Sequence, residues 1–318
     1  MAAIHHLVRA HGRLDARLMV EADRAPIVDV AARILEEESQ GIGITYSGFC
    51  LTALPHRRLP DEQHWSRSSV NGRVSLLVEP GRVRRRHVAA GEDEYELVGV
   101  PYGPKARLIL LYLQTRAIAE NSPEVELGRS MNAWLERMGI SAGGRTYTEV
   151  RSQAERISRC RLTFFWEGTD GSDGFENTTI VASGIRFRDD DRQGTLWRET
   201  VRLSEPFFRA LREHPVPVWE PAVRELAGRS MAFDLYVWMA YRLHVLMQPV
   251  RISWPALFAQ FGGGYKALRQ FKPEFRRALD FALAVYPEAD VTLTEDGVTL
   301  HPSRPPIPER EAARLGCR

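Results

Sequence analysis

Apolar residues recur along this chain in two spacings, helical in some stretches and alternating in others, and together they predict an ordered set of helices and strands. Residues 1–40 carry Leu18, Ile27, Val28, Val30, Ala31 and Ile34 in partly helical spacing and predict a helical N-terminal arm. Residues 74–78 read as a strand. Residues 105–120 are apolar at nearly every inward helical position and follow Pro101 and Pro104, which predicts a buried helix. A short strand at 124–127 comes next, then Ser130 as the N-cap of a second helix that carries Met131, Trp134, Leu135 and Met138 and stops at Gly139. Past a turn at Ser141, Gly143 and Gly144, a third helix over 145–159 turns Tyr147, Val150, Ala154 and Ile157 to the core. A strand at 160–166, a turn through Gly168, Asp170, Gly171 and Gly174, and a return strand around 178–185 complete the set as a hairpin.

The same order returns roughly 120 residues later, the kind of internal recurrence that marks a duplicated plan. Residues 230–245 form a buried helix with Leu235, Tyr236, Trp238, Met239 and Tyr241, and 250–252 supply the short strand. Ser253, Trp254, Leu257, Phe258 and Phe261 make the second helix, which ends at Gly262, Gly263 and Gly264. A third helix runs through Tyr265, Leu268, Phe275, Leu279 and Ala282, with Pro273 as a kink or restart because it lacks a backbone donor. Residues 291–293, a turn at Asp296 and Gly297, and 298–300 make the hairpin. Helix, short strand, helix, glycine turn, helix and hairpin is the order of a winged helix-turn-helix domain. The expected fold is therefore α+β, with tandem winged helix-turn-helix domains behind an N-terminal helical and β extension. The boundaries that follow are 1–100 for the helical arm and basic β extension, 101–215 for the first winged domain, 216–302 for the second, and 303–318 for a disordered proline-rich tail. Residues 195–203 and a helix around 207–214 would join the two copies.

Charge sharpens this picture by where it lies. The 318 residues carry a formal net charge of only +2, and of 43 basic residues only Lys105, Lys266 and Lys272 are lysines. Guanidinium forks suit phosphates and guanine edges. In the third helix of the first copy, Arg145, Arg151, Arg156, Arg159 and Arg161 oppose Glu149 and Glu155, and the outward set includes Thr146, Thr148 and Ser152. In the second copy Lys266, Arg269, Lys272, Arg276 and Arg277 oppose Glu274 and Asp280, with Gln270 available for adenine. A recognition helix enters the major groove by its N-terminal part, so Arg145, Thr146, Thr148, Arg151, Ser152 and Arg156 of one copy, and Lys266, Arg269, Gln270 and Arg276 of the other, are the candidate DNA-binding residues. Residues 41–91 hold eight arginines against Asp61, Glu62 and Glu79, and the run Arg84, Arg85 and Arg86 there, with wing residues, would hold phosphates.

No catalytic constellation is complete. The glycines at 262–264 before Lys266 lack phosphate-loop spacing, Ser130 has no nucleophile-elbow glycines, and no H-E-x-x-H helix occurs. His5 with His6 is not the His-x-His pair of a metal-dependent nickase, and Cys50, Cys160 and Cys317 stand far apart without metal-ligand spacing. The chain is accordingly expected to be no enzyme and to need no cofactor or metal. A nuclease using Glu94, Glu96 and Lys105 is the alternative from a different class. No apolar run spans a bilayer and no secretory signal is present, which predicts a cytoplasmic protein. Apolar residues near 1–34 leave room for a homodimer.

With these elements placed, the sequence resembles the plasmid-encoded RepA replication initiators of the proteobacterial branch over about residues 48–306. The resemblance is carried by Gly-Phe-Cys-Leu-Thr at 48–52, Leu-Pro-His-Arg-Arg-Leu-Pro at 54–60, Val-Gly-Val-Pro-Tyr-Gly at 98–103 and Arg-Leu-Ile-Leu-Leu-Tyr-Leu-Gln-Thr at 107–115. It continues through Glu-Val-Glu-Leu-Gly-Arg-Ser-Met at 124–131, Ala-Glu-Arg-Ile-Ser-Arg-Cys at 154–160, His-Pro-Val-Pro-Val at 214–218 and Tyr-Arg-Leu-His at 241–244. It implies a protein that binds repeated double-stranded sites at a plasmid origin and helps load the host replication initiator and helicase. Control of its own promoter, or a repressor without initiator activity, would use the same binding physics.

Overall fold

The computed structural model describes residues 2–86, 93–168, 172–183 and 200–307. The order along the chain is α1 (Ala2–Leu18), α2 (Ala25–Glu36), β1 (Ile42–Tyr46), α3 (Ser47–Leu51), β2 (Trp65–Ser68), β3 (Val74–Glu79), β4 (Arg82–Arg86), β5 (Asp93–Leu97), α4 (Gly103–Ala119), β6 (Glu124–Glu126), α5 (Met131–Arg137) and α6 (Gly144–Arg159). It continues with β7 (Arg161–Glu167), β8 (Asp173–Thr179), β9 (Val181–Ser183), β10 (Thr200–Leu203), α7 (Glu205–Glu213), β11 (Pro215–Trp219), α8 (Glu220–Glu225), α9 (Ser230–Arg242), β12 (Val250–Ser253), α10 (Trp254–Phe261), α11 (Leu268–Ala284), β13 (Val291–Leu293) and β14 (Gly297–Leu300). Helices and largely antiparallel sheets make this an α+β chain. It divides into two compact units, one made of residues 1–51 with 215–318 and the other of residues 52–214.

The unit of residues 52–214 is built around α4, which is buried on nearly every side, as its unbroken apolar run requires. Its one inward charge, Arg107, spends its donors on carbonyls: Nη1 bonds Pro55 O at 3.2 Å and Gly103 O at 3.0 Å, and Nη2 bonds Leu54 O at 2.8 Å. The Gly103 N–H donates to Pro55 O at 2.9 Å. Three of the segments that carry the resemblance, at 54–60, 98–103 and 107–115, thus meet at the start of one helix, where they serve architecture. Ser130 caps α5 by accepting from the Ala133 N–H, as its position predicts.

The sheets of this unit depart from the sequence expectation. The β7–β8 hairpin is not a free wing, because β7 also pairs with β3 from Val74↔Trp166 to Glu79↔Arg161, in a four-stranded order β2-β3-β7-β8. The expected return strand at 178–185 breaks at Ile180, and β9 leaves for a second sheet, β6-β10-β9. The partner of the short strand β6 is β10, which lies in the segment read as a joint between copies.

The other unit joins the chain ends. β1 pairs antiparallel with β11, from Ile42↔Trp219 to Tyr46↔Pro215. Helix α2 turns Ile27, Val28, Val30, Ala31 and Ile34 inward, and its Arg33 forms a two-bond pair with Glu225 at 2.7 and 2.6 Å. Leu18, at the end of α1, is 86% exposed, and Gly12 at φ +74° kinks the helix before it. The expected hairpin is β13–β14, and the short strand β12 pairs with β14 to give the order β12-β14-β13. Helix α11 is continuous through Pro273 and starts at Leu268, so Tyr265 precedes it.

Two expected boundaries therefore differ from the structure. Residues 1–51 and 52–100 fall in different units, since the first group packs with the C-terminal elements and the second supplies β2 and β3 to the sheet of β7. Residues 303–307, expected in a disordered tail, are held. Ser303 N–H donates to Leu243 O at 3.2 Å, Tyr286 Oη to Arg304 O at 2.6 Å, and Ile307 is 3% exposed. Residues 308–318 lie outside the described residues.

Candidate nucleic-acid interface

Helix α6 leaves the Gly143–Gly144 turn with its N-terminal turns outward. Thr148 Oγ1 donates back to Gly144 O at 3.2 Å, and the Tyr147 hydroxyl bonds Asn132 Oδ1, which ties α6 to α5. Val150, Ala154 and Ile157 are buried, as the spacing predicts. The opposite side shows Arg145 and Thr148 exposed, with Thr146, Arg151 and Ser152 half-buried. The Arg145 side chain, 92% exposed, rests on Glu149 at 2.9 Å. Such a surface pair contributes a few tenths of a kcal/mol and yields readily to a phosphate or a guanine edge.

Arg156 departs from the expectation. Its side chain is 7% exposed; Nη2 donates to Asp61 Oδ1 at 2.8 Å and Nη1 to Val100 O at 3.2 Å, while the guanidinium stacks 5.2 Å from the Tyr102 ring centre. Gln153 Oε1 accepts the Tyr102 N–H at 2.8 Å. Gly99, at φ +69°, lies so close that a Cβ there would collide with Arg156 Nη1 and Asp61. Arg156 therefore anchors the 98–103 segment and is withdrawn from solvent, so the net positive face counted along this helix loses a member.

The basic run 82–86 is strand β4, laid beside the acidic strand β5 in the register Val83↔Glu96, Arg84↔Tyr95, Arg85↔Glu94 and Arg86↔Asp93. Arg84 is exposed, and the side chains of Arg85 and Arg86 lie outside the described residues. Acids at opposed positions offset the local charge that the run alone suggests.

In the other unit the glycine turn bends through Gly264 at φ +95°, and Lys266 stands exposed just before α11. Arg269, Gln270 and Arg276 are exposed on α11, while Phe271, Phe275 and Leu279 are buried against α10. Trp254 heads α10 and is buried, with Phe275 edge-on at 5.5 Å and Phe271 edge-on at 6.5 Å. Lys272, which composition counts as basic and spacing leaves unassigned, places Nζ 5.2 Å from the Trp254 ring centre, and Arg276 Cζ lies 5.6 Å from it. The tip of the β13–β14 hairpin carries exposed Glu295 and Asp296. Both are carboxylates, which repel phosphates, so this hairpin tip lacks the positive charge expected of wing residues. On the β7–β8 hairpin the exposed groups near the tip are Phe165, Trp166 and Phe175, with Glu167 and Asp173 beside them. The clustering of Phe164, Phe165 and Trp166 in the sequence is the signal for that patch, and alternation buries only Phe164.

Among the described residues no group of three or more His, Cys, Asp or Glu is placed to hold a metal ion, and no helix is long and apolar enough to cross a membrane.

No curated protein matches the chain. Two crystal structures of domains 2 and 3 of RctB are similar in structure: one at 13% identity and a TM-score of 0.44 covers 72% of this chain and 79% of its own, the other at 12% and 0.45 covers 79% and 94%. Residues 100–254 match the family described as plasmid encoded RepA protein, a span that contains α6 and ends at Trp254. Over that span the chain is similar to plasmid-encoded RepA proteins.

Proposed function

We propose that this chain is a plasmid replication initiator that binds repeated double-stranded sites at the origin without enzymatic chemistry of its own. The observation that carries the reading is the pair of helices α6 and α11, each leaving a glycine turn with exposed cations near its start, in a chain whose residues 100–254 match the RepA family. Each is the reading helix of a winged-helix plan, and together they make the chain a tandem winged-helix protein. Arg145, Thr148, Arg151 and Ser152 face one major groove, with Thr146 at its edge. Lys266, Arg269 and Gln270 face another.

Phosphate contacts set affinity and register, and base-edge contacts set the site. Loading of the host initiator and helicase follows from assembly on an array of such sites, in the cytoplasm, and needs no bond made or broken by this chain. Occupancy of sites near its own promoter would also repress the gene. The test is replication itself. A DNA circle carrying the sequence flanking the gene should be maintained in a host only when the chain is supplied, and Arg151→Ala with Arg269→Ala should abolish maintenance while the protein stays folded. Maintenance that survives the double change would overturn the assignment of these helices.

A further inference from the structure

We propose that Lys272 and Arg276 form a backbone-phosphate site on the flank of α11, with Trp254 as the residue that positions them. The inference rests on the reading of the chain as a duplex-DNA binder and assigns one side of its second reading helix. Lys266, Arg269, Lys272 and Arg276 follow one another at spacings of three, three and four, so from the bend before α11 onward they line one flank of the helix. Gln270 and Arg277 occupy the other flank, on either side of Glu274.

Two cations one helical turn apart repel each other and weaken a helix by a small amount. Here neither has an ion-pair partner among the described residues, and both instead lie over the same indole, Nζ at 5.2 Å and Cζ at 5.6 Å from its centre. The π face attracts them, which offsets part of their repulsion. The indole itself cannot turn. Its Nε1–H donates to Glu295 O at 2.8 Å, the Trp254 backbone N–H donates to Asp296 O at 2.9 Å, and Phe271 and Phe275 meet it edge-on. Two cations held on a fixed ring lose little side-chain freedom when an anion arrives, and a phosphodiester between them satisfies both. Glu295 and Asp296 at the neighbouring hairpin turn repel phosphate, which leaves Lys272 and Arg276 as the groups that take the backbone contact on this flank. Sequence discrimination falls to Arg269 and Gln270 on the first turn of the helix.

The test uses the full chain in a duplex-binding titration across salt, on the DNA flanking its gene and on random-sequence duplex. Lys272→Gln with Arg276→Gln should lower the slope of log K against log salt by about two on both duplexes, near 0.9 for each phosphate released, and leave the footprint in place. Lys272→Arg should keep the slope of the unaltered chain. Trp254→Phe retains an aromatic ring but loses the bond to Glu295 O; it should lower the slope part of the way, and should lower it no further when added to the double variant. A double variant with an unchanged slope would overturn the phosphate site while leaving the initiator reading in place. A Trp254→Phe chain with a lower melting temperature and an unaltered slope would reduce Trp254 to a packing residue. Failure of the unaltered chain to bind duplex DNA would overturn the initiator reading and this site with it.

Discussion

The Arg156 guanidinium and the Asp61 carboxylate, 2.8 Å apart, join the last turn of α6 to the loop before β2, with the arginine inside the unit and the aspartate at its rim. Burial raises the Asp61 carboxyl, but donation from Arg156 and from Arg58 outweighs it and holds the group below the usual carboxylate range. Because the folded state prefers the ionised form, the pair stabilises above the ordinary aspartate range near 4 and is lost as pH falls through the lowered value. Arg156→Gln leaves Val100 O and Asp61 short of a donor and should cost about 3 kcal/mol in a denaturant titration. It should also flatten the acid limb of stability against pH. The salt slope of DNA binding should not change, which separates this arginine from those proposed to reach DNA.

The buried thiols give a second prediction. Cys50 and Cys160 are both buried, and desolvation pushes Cys50 well above the ordinary thiol range and Cys160 up to about 12. Thiolate is the reactive form. In a Cys317→Ser chain, both thiols should resist a disulfide reagent at pH 8 and both should react on unfolding. Rapid labelling of either in the folded chain would contradict its placement.

His5 makes a pH-dependent contact of opposite chemistry. It is buried on α1, and its Nε2 lies 2.9 Å from Ala284 O at the end of α11. Burial lowers its pKa, the carbonyl contact opposes that in part, and Arg9 adds to the lowering. The unfolded chain then binds the proton more readily, so the stability His5 contributes is full above about pH 6.5 and falls as pH drops through the lowered folded value. Melting temperature should decline from pH 7.5 to 5.5, and His5→Gln should remove much of that slope. An unchanged pH dependence in the variant would place the titrating group elsewhere.

For the reading helices, Arg151→Ala or Arg269→Ala should each cost about 1 to 3 kcal/mol on the specific site, with relaxed discrimination at one base position. Competition titrations against site variants measure this directly. Equal small losses on every sequence would assign these arginines to phosphates.

Much of this arrangement was legible along the chain. The 3,4,3 spacing of Tyr147, Val150, Ala154 and Ile157 placed α6 within a residue of its bounds, and Ser130 fixed the start of α5 through its own cap. The β13–β14 hairpin was legible from its alternation and the turn at Asp296 and Gly297, whereas the pairing of β12 with β14 was not. What local pattern could not carry was pairing between distant strands. Nothing in residues 74–79 names β7 as a partner some 80 residues on, and nothing in 42–46 names β11. The burial of Arg156 escaped for a related reason, since its anchor, Asp61, comes from the segment read as an extension. Gln153 and Arg156, two polar residues one turn apart beside the stripe of Val150, Ala154 and Ile157, were the available signal. Lys272 and Arg276 were visible as charge, whereas their common seat on Trp254 depends on α10 and α11 folding together.

Origin binding without cleavage is measured by a nuclease footprint of the purified chain on the DNA flanking its gene, titrated with salt, with and without magnesium. An initiator of this kind gives protected repeats at helical spacing, protection that weakens steeply with salt, and no strand cleavage in either condition. Magnesium-dependent nicking, or uniform protection of every sequence, would contradict the initiator reading.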